Sequence, residues 1–264
     1  MGISSKRSWP AGPQTSGCCK AAQCEETEKQ CTVSDPFHKF PHTPHLLWLG
    51  EGAPRDDKIM SRREAQEFLE QPVVIEEKVD GGNLGLSVGA DGRIRAQSRG
   101  NFLAPGRCHA QWNPLWPWLA QREHALVSAL GSERTLFGEW CHARHTIAYD
   151  ALPDWFIAFD VFEPGKGLFW PTDRRNVLAA ELSLSTVPEV ARGRLALRDV
   201  PALLGKSALG AARMEGVYLR REAHGRLLGR AKVVGAEFKQ QIEAHWTRRP
   251  LIPNHLLAGT EARS

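Results

Sequence analysis

The chain has 264 residues, of which 42% are hydrophobic and 24% are charged. These proportions are ordinary for a globular protein and exclude a chain that is disordered throughout. No run in the sequence approaches the roughly 20 apolar residues needed to cross a bilayer, so we expect no membrane partner. The formal net charge of +4 permits a nucleic-acid partner without requiring one.

Residues 1–38 have the composition of a tail. They are rich in Ser, Pro, Gly, Lys, Gln and Glu and show no hydrophobic periodicity, which predicts a disordered N-terminal extension. Four of the six cysteines lie here without the C-x-x-C spacing of a zinc site, although a small metal knuckle stays open as an alternative. Because the segment lacks the apolar core of a signal peptide, we expect reduced thiols and an intracellular protein, cytoplasmic or nuclear.

A helix, a strand and a hairpin are predicted after this extension. Ser61 and Glu64 form the pattern of a capping box, which predicts a helix over residues 62–70. The β-branched run at residues 73–75 predicts a strand. A turn at residues 90–92, flanked by alternating apolar residues, predicts a hairpin with strands at 84–88 and 94–96.

The remaining elements mix helices and strands. Helical spacing is found over residues 112–130, and short helices are predicted at 199–204 and 236–246. Strands are predicted at 135–140 and 155–162, and a second hairpin at 217–219 and 227–234 around His224-Gly225. Because this order lacks a regular βαβ rhythm, it favours an α+β fold with antiparallel sheets over a doubly wound fold.

The segment Glu76-Glu77-Lys78-Val79-Asp80-Gly81-Gly82-Asn83 carries the sharpest chemical signal. A strand leads into a lysine, then into a tight glycine turn and a second strand. Partial burial of Lys78 favours the neutral, nucleophilic amine, and the glycines let the backbone approach a phosphate. Taken alone, the pattern also fits a polar strand end followed by a turn.

Five further segments follow in order. They are Ser98-Arg99-Gly100, Phe137-Gly138-Glu139-Trp140, Phe156-Ile157-Ala158-Phe159-Asp160, Glu215-Gly216-Val217-Tyr218-Leu219-Arg220 and Arg230-Ala231-Lys232. Together with the Lys78 segment they resemble motifs I, Ia, III, IIIa, IV and V of the covalent nucleotidyltransferases, which include DNA ligases, RNA ligases and mRNA capping enzymes. The resemblance runs from about residue 40 to residue 246 and is greatest to ATP-dependent RNA ligases of the phage-type RNA ligase 2 branch.

The resemblance implies a fold and a domain organisation. The fold would be an antiparallel-sheet nucleotidyltransferase core, ATP-grasp-like or of the DNA-ligase adenylation-domain type, with flanking helices. The domain would span residues 39–235, and residues 236–264 would form a C-terminal helix and tail. Too few residues follow Lys232 for the OB-fold domain expected of a DNA ligase of this size.

The resemblance also assigns the reacting groups. Lys78 would attack the α-phosphate of ATP and form a lysine–AMP adduct, with Lys232 lowering the pKa of the amine. Glu215 would bind Mg²⁺ or Mn²⁺, and Glu139 would contact the ribose or the metal. The AMP would then pass to an RNA 5′-phosphate, which is sealed to a 3′-hydroxyl.

Five residues are implied to bind the nucleotide around these groups. Glu77 would contact the adenine amine, Asn83 matches the Asn of the branch's K-x-x-G-x-N variant, and Phe159 would stack on adenine. Arg99 would contact the RNA 5′-phosphate or the AMP phosphate. Arg230 stands where the family usually has lysine, so its role would be to clamp phosphate together with Lys232.

Several alternatives stay open. The same fold would serve a DNA ligase, a GTP-dependent capping guanylyltransferase or an inactive nucleic-acid-binding relative, and we expect a monomer whose protein partners are unknown. Phe159 alone also fits a core position, and Asp160 a buried structural acid. Arg220, next to Arg221, is typical of a solvated face.

Overall fold

The computed structural model describes residue 35 and residues 37–51, 58–240 and 250–259. The four N-terminal cysteines, most of the predicted extension and the second half of the predicted helix at 236–246 lie outside this part of the chain. Residues at the end of the predicted extension are packed, since Asp35 forms an ion pair with Arg95 and the Phe37 ring lies 5.3 Å from that of Phe102.

Five α-helices and ten strands are found in the described residues. The helices are α1 (Arg62–Leu69), α2 (Leu115–Ala120), α3 (Glu123–Leu130), α4 (Thr172–Glu181) and α5 (Ala236–Gln240). The strands are β1 (Val73–Lys78), β2 (Gly82–Val88), β3 (Ile94–Gln97), β4 (Thr135–Trp140), β5 (Phe156–Glu163), β6 (Leu168–Phe169), β7 (Ser185–Thr186), β8 (Glu189–Gly193), β9 (Gly216–Ala223) and β10 (Arg226–Val234).

The strands form two sheets. A four-stranded sheet has the order β10-β9-β1-β8, and a six-stranded sheet has the order β3-β2-β4-β5-β6 with β7 beside β5. All pairings are antiparallel except that of β5 with β7. The mixture of helices and antiparallel sheets agrees with the predicted α+β class.

Each sheet covers its own hydrophobic core. The six-stranded sheet packs with α2, α3 and α4 around Leu84, Leu115 and Trp140. The four-stranded sheet packs with α1 around Phe68 and Leu219. Among the described residues, no helix is both long and apolar enough to pass through a membrane.

Two local predictions are confirmed in detail. Ser61 and Glu64 form the capping box of α1, with the Ser61 side chain accepting from the Glu64 N–H and the Glu64 side chain accepting from the Ser61 N–H. His224 and Gly225 both have positive φ, 51° and 70°, as a two-residue hairpin turn requires. This turn joins β9 to β10.

Other predictions are wrong in an informative way. The helix predicted over 112–130 is divided into a 3₁₀ turn, α2 and α3. The helix predicted at 199–204 is a 3₁₀ helix over Leu197–Leu203, and α4 and β8 were not predicted.

Candidate active site

Lys78 ends β1 beside the start of β9. It pairs with Gly216, and its Nζ donates to Glu215 Oε2 at 2.6 Å. A Cβ on Gly216 would lie 2.2 Å from the Val233 carbonyl oxygen, so only glycine allows β9 and β10 to approach this closely here. This approach fixes Glu215 next to the lysine.

The turn after Lys78 carries the chain into the six-stranded sheet. A Cβ on Gly81 would lie 2.7 Å from the Trp140 carbonyl oxygen, which accounts for the glycine. Beyond the turn, Asn83 of β2 pairs with Glu139 of β4. The two sheets therefore bring their functional side chains to the two sides of one turn.

A cavity of about 350 Å³ is lined from both sheets. Of the residues predicted to form the site, all but Glu215 and Arg230 line it: Glu77, Lys78, Asn83, Arg99, Glu139, Phe159 and Lys232. Glu215 reaches the cavity through its hydrogen bond to Lys78. The size of the cavity and its mixed lining suit a small polar ligand with an aromatic part.

Lys78 is held as an ammonium ion. Burial would lower its pKa, but the carboxylates of Glu215 and Glu139 outweigh burial and raise the pKa above its ordinary value. The two carboxylates therefore act against the lower pKa of Lys78 that was expected from burial, Lys232 and Mg²⁺.

The carboxylates around Lys78 are perturbed in turn. Burial raises the pKa of Glu139 to about 8, a rise that Lys78 limits and that repulsion from Asp80 and Glu215 increases. Burial also raises the pKa of Glu215, against the attraction of Lys78 and Lys232. A carboxyl group with its pKa near neutrality suits proton transfer.

The aromatic end of the cavity contains Phe159 and Phe40. Their ring centroids lie 5.2 Å apart in an edge-on arrangement, and Phe159 is only half-buried. Phe40 was not among the residues predicted from the sequence to form the site. It belongs to a segment before α1 that runs along β10, where the Leu46 N–H donates to the Lys232 carbonyl oxygen at 2.8 Å. A half-exposed ring on a cavity wall can stack on a planar ligand.

Glu77 lies on the same cavity with 1% of its surface exposed. Its Oε1 accepts from the Ser207 hydroxyl at 2.5 Å and its Oε2 from the Ala208 N–H at 2.9 Å. Ser207 Oγ itself accepts from the Leu209 N–H, so its own hydrogen is directed to Glu77. Burial raises the pKa of Glu77, and the two donors limit that rise.

The side chains of Asn83 and Arg99 are placed to form hydrogen bonds with a ligand in the cavity. Asn83 Oδ1 is buried on the cavity without a hydrogen-bond partner among the described residues. Arg99, in the loop after β3, is exposed at the edge of the cavity. A buried unsatisfied oxygen of this kind is costly unless a ligand or water completes it.

Arg230 has other contacts than those predicted. Its guanidinium lies 3.9 Å from the centre of the Phe169 ring and 4.8 Å from that of Phe40, and 3.3 Å from Asp160 Oδ2. It therefore lies behind the aromatic wall, whereas Lys232 two residues later lines the cavity.

A buried ionic network lies below Phe159. Arg220, predicted to be solvated, is fully buried and pairs with Asp160 at 2.8 Å, so that expectation is wrong. Arg175 of α4, which the sequence did not reveal, pairs with Glu76 at 2.6 Å. Both guanidinium groups also donate to the Phe159 carbonyl oxygen, at 2.7 Å from Arg175 and 3.1 Å from Arg220. The network fixes the backbone that carries the ring.

A metal ion would need ligands in addition to the protein. Within the described residues, no group of three or more His, Cys, Asp or Glu side chains is arranged to hold a metal. Mg²⁺ in phosphate chemistry is commonly held by one or two carboxylates together with substrate oxygens. Glu139 and Glu215, on either side of Lys78, fit that pattern.

A family model described as RNA ligase matches residues 71–234. No curated protein sequence matches.

Solved structures give the same fold. An RNA ligase of Naegleria gruberi with PPi superposes with a TM-score of 0.53 at 18% identity, over 67% of this chain and 53% of that one. A variant of the same ligase with ATP and Mn gives 0.54 at 18% identity, over 76% and 63% of the two chains. An archaeal ATP-dependent RNA ligase gives 0.54 at 18% identity, over 77% and 50%. The match spans about half of the length of the first and third ligases, and at these identities the likeness is one of fold.

Proposed function

The chain belongs to the RNA ligase family, and on that premise we propose that it is an ATP-dependent RNA ligase that forms a covalent lysine–AMP intermediate on Lys78. The observation that carries the proposal is the hydrogen bond of 2.6 Å between Lys78 Nζ and Glu215 Oε2, at the edge of a cavity with an aromatic wall and with Lys232 and Arg99 in its lining. Nucleophile, proton acceptor and phosphate-binding cations are thus within one site.

The first step would use these groups in a fixed order. Lys78 must first lose its proton, which Glu215, hydrogen-bonded at 2.6 Å, can relay to solvent, and the free amine then attacks the α-phosphorus of ATP. The N–P bond forms as the P–O bond to the β-phosphate breaks, and pyrophosphate leaves. Lys232 and Arg99 offset the negative charge on the phosphates. A divalent cation held by Glu139 and Glu215 would supply further positive charge there.

The next two steps transfer and release the nucleotide. An oxygen of an RNA 5′-phosphate attacks the AMP phosphorus, the P–N bond breaks and Lys78 takes up a proton. A 3′-hydroxyl then attacks the RNA phosphorus, and AMP leaves. Both are displacements at phosphorus in which positioning and charge stabilisation do most of the work.

Glu77 favours ATP over GTP as the nucleotide. Both of its oxygens accept hydrogen bonds, from Ser207 and from Ala208, so the carboxylate presents acceptors. Adenine has an amino group at the position where guanine has a carbonyl oxygen. A carboxylate would therefore attract adenine and repel guanine.

Intact-mass measurement after incubation with ATP and Mg²⁺ tests the first step. We expect a gain of one adenylyl group in the wild type and in Lys166→Ala, a control at a lysine whose side chain is 64% exposed. Lys78→Ala should gain none. An adduct that persists in Lys78→Ala would refute the nucleophile, and a gain from GTP alone would favour a capping enzyme.

The later steps need a nucleic-acid substrate. We expect the adenylylated protein to seal RNA that carries a 5′-phosphate to RNA with a 3′-hydroxyl, and to do so faster than it seals DNA strands of the same sequence. Faster sealing of DNA would instead support a DNA ligase. Binding of RNA without any adduct would support the inactive relative.

A further inference from the structure

The C-terminal residues 250–259 lie along the loop that joins β4 to β5. The Arg144 N–H donates to the Ile252 carbonyl oxygen at 2.8 Å, and the His255 N–H donates to that of Tyr149 at 2.9 Å. The segment, which was predicted only as part of a tail, therefore adds a strand-like edge to this loop.

Asn254 is the polar centre of this contact and is 3% exposed. Its Oδ1 accepts from the Tyr149 N–H at 2.9 Å, and its Nδ2 donates to the Cys141 carbonyl oxygen at 2.8 Å. One buried amide thus joins the beginning of the loop to its middle. Its loss would leave two buried backbone groups without these partners.

The same loop holds the turn that follows Lys78. Asp80 Oδ2 accepts from the Thr146 N–H at 2.7 Å and from the Ile147 N–H at 2.9 Å. The Asp80 N–H donates to the Tyr149 hydroxyl at 2.9 Å. A continuous series of hydrogen bonds therefore leads from Asn254 to a residue two positions beyond the lysine.

We propose that Asn254 is a positioning residue for nucleotidyl transfer, acting through the loop and Asp80 on the direction of the Lys78 amine. The inference rests on the proposed function. Nucleophilic displacement at phosphorus depends steeply on alignment, and a shift of about 1 Å can cost a hundredfold in rate. The cavity lining comes mainly from strands that Asn254 does not contact, so ATP binding should be little affected.

Single-turnover adenylylation over a range of ATP concentrations, with Mg²⁺, tests this. For Asn254→Ala we expect the maximal rate to fall about 10- to 100-fold, with half-saturating ATP within about twofold of the wild type. His255→Ala is the matched control, because the His255 side chain is exposed and only its backbone bonds to Tyr149, so the substitution keeps that bond. This variant should behave as the wild type.

The outcomes separate this inference from the proposed function. If the wild type forms no adduct, the proposed function fails. If the wild type and His255→Ala react and Asn254→Ala equals them, or loses ATP affinity at an unchanged maximal rate, the positioning role alone is overturned.

A second variant distinguishes a positioning role from a loss of rate that is caused by unfolding. Circular dichroism shows whether each variant is folded. Asn254→Asp keeps the acceptor for the Tyr149 N–H but, when ionised, cannot donate to the Cys141 carbonyl oxygen. Its rate relative to the wild type should rise as the pH falls, because the protonated carboxyl can donate that bond. A ratio independent of pH, or unfolding of both variants, would overturn the proposal.

Discussion

Arg175 and Glu76 form a salt bridge of 2.6 Å between side chains that are 1% and 2% exposed. The pair connects α4 to β1 two residues before Lys78, and Arg175 also donates to the Phe159 carbonyl oxygen at 2.7 Å. One guanidinium therefore links the strand that carries Lys78 to the aromatic wall of the cavity.

Arg175→Met should reduce the free energy of unfolding by about 3–5 kcal/mol, because it leaves the buried Glu76 with only the more distant Arg220, at 3.8 Å, as a charged partner. Urea unfolding measures the change. Arg198→Met, at an arginine that is 87% exposed, should change it by less than about 0.5 kcal/mol. Combining Arg175→Met with Glu76→Gln should recover part of the lost unfolding free energy. An equal loss in Arg175→Met and Arg198→Met would show that the buried pair does not contribute to stability.

Glu215→Gln should move the pH profile of adenylylation towards lower pH. Glu215 and Glu139 raise the pKa of Lys78, so the amine keeps its proton to higher pH and the rate rises as the pH passes that pKa. Removing a carboxylate lowers the pKa. The pH profile of kcat/KM for ATP should shift more in Glu215→Gln than in Glu139→Gln, even where the maximal kcat/KM also falls. In Glu189→Gln, a variant at an exposed site, the profile should not shift.

The stability of the fold should also depend on Glu139 and pH. Its pKa rises from an ordinary 4.5 to about 8, so in this interval the native state holds a proton that the unfolded chain has lost. The contribution of Glu139 to the free energy of unfolding therefore decreases as the pH rises through this interval. Urea unfolding at about pH 5 and about pH 8.5 should show Glu139→Gln gaining on the wild type at the higher pH; a constant difference would show that Glu139 titrates normally.

Gly81→Ala should impair adenylylation by about 10- to 100-fold. The added Cβ would lie 2.7 Å from the Trp140 carbonyl oxygen, so the turn after Lys78 must shift. Gly165→Ala is the matched control, since no neighbouring atom lies within 4 Å of its Cβ position. Single-turnover assays of both variants decide the point, and equal rates would mean that the turn tolerates the displacement.

Glu77→Gln should weaken the preference for ATP over GTP by about 10- to 100-fold. The amide can donate to the guanine carbonyl oxygen, which the carboxylate cannot. Competition between labelled ATP and GTP for adduct formation measures the ratio, with Glu189→Gln as a surface control. An unchanged ratio would place base selection elsewhere in the cavity.

The sequence predicted those parts of the site that depend on short-range patterns. Lys78, Glu139 and Lys232 lie in strands or at strand ends, and the order of their segments along the chain resembles a known set of motifs. The Ser61 cap and the His224-Gly225 turn were found for the same reason, because local backbone requirements select few residue types.

The buried polar residues were beyond these patterns. Arg175 is one of the buried residues of α4. Because an arginine is strongly polar, a buried face that contains one does not appear in the sequence as an apolar stripe, and the helix was not predicted. β8 is a short edge strand with two exposed positions and few apolar residues. Asn254 is distinguished only by partners more than a hundred residues away in the chain.

The turn at His224-Gly225 has a consequence for a site at the other end of its hairpin. Together with the shift in register between Leu227 and Gly229, the turn sets the register in which Lys232 lies opposite Tyr218 and Val234 opposite Gly216. Since successive side chains of a strand point to opposite faces, a register shift by one residue would rotate Lys232 out of the cavity. Substitutions in this turn are therefore tolerated where the new residue type accepts positive φ, but an insertion or deletion there would move the Lys232 side chain away from Lys78.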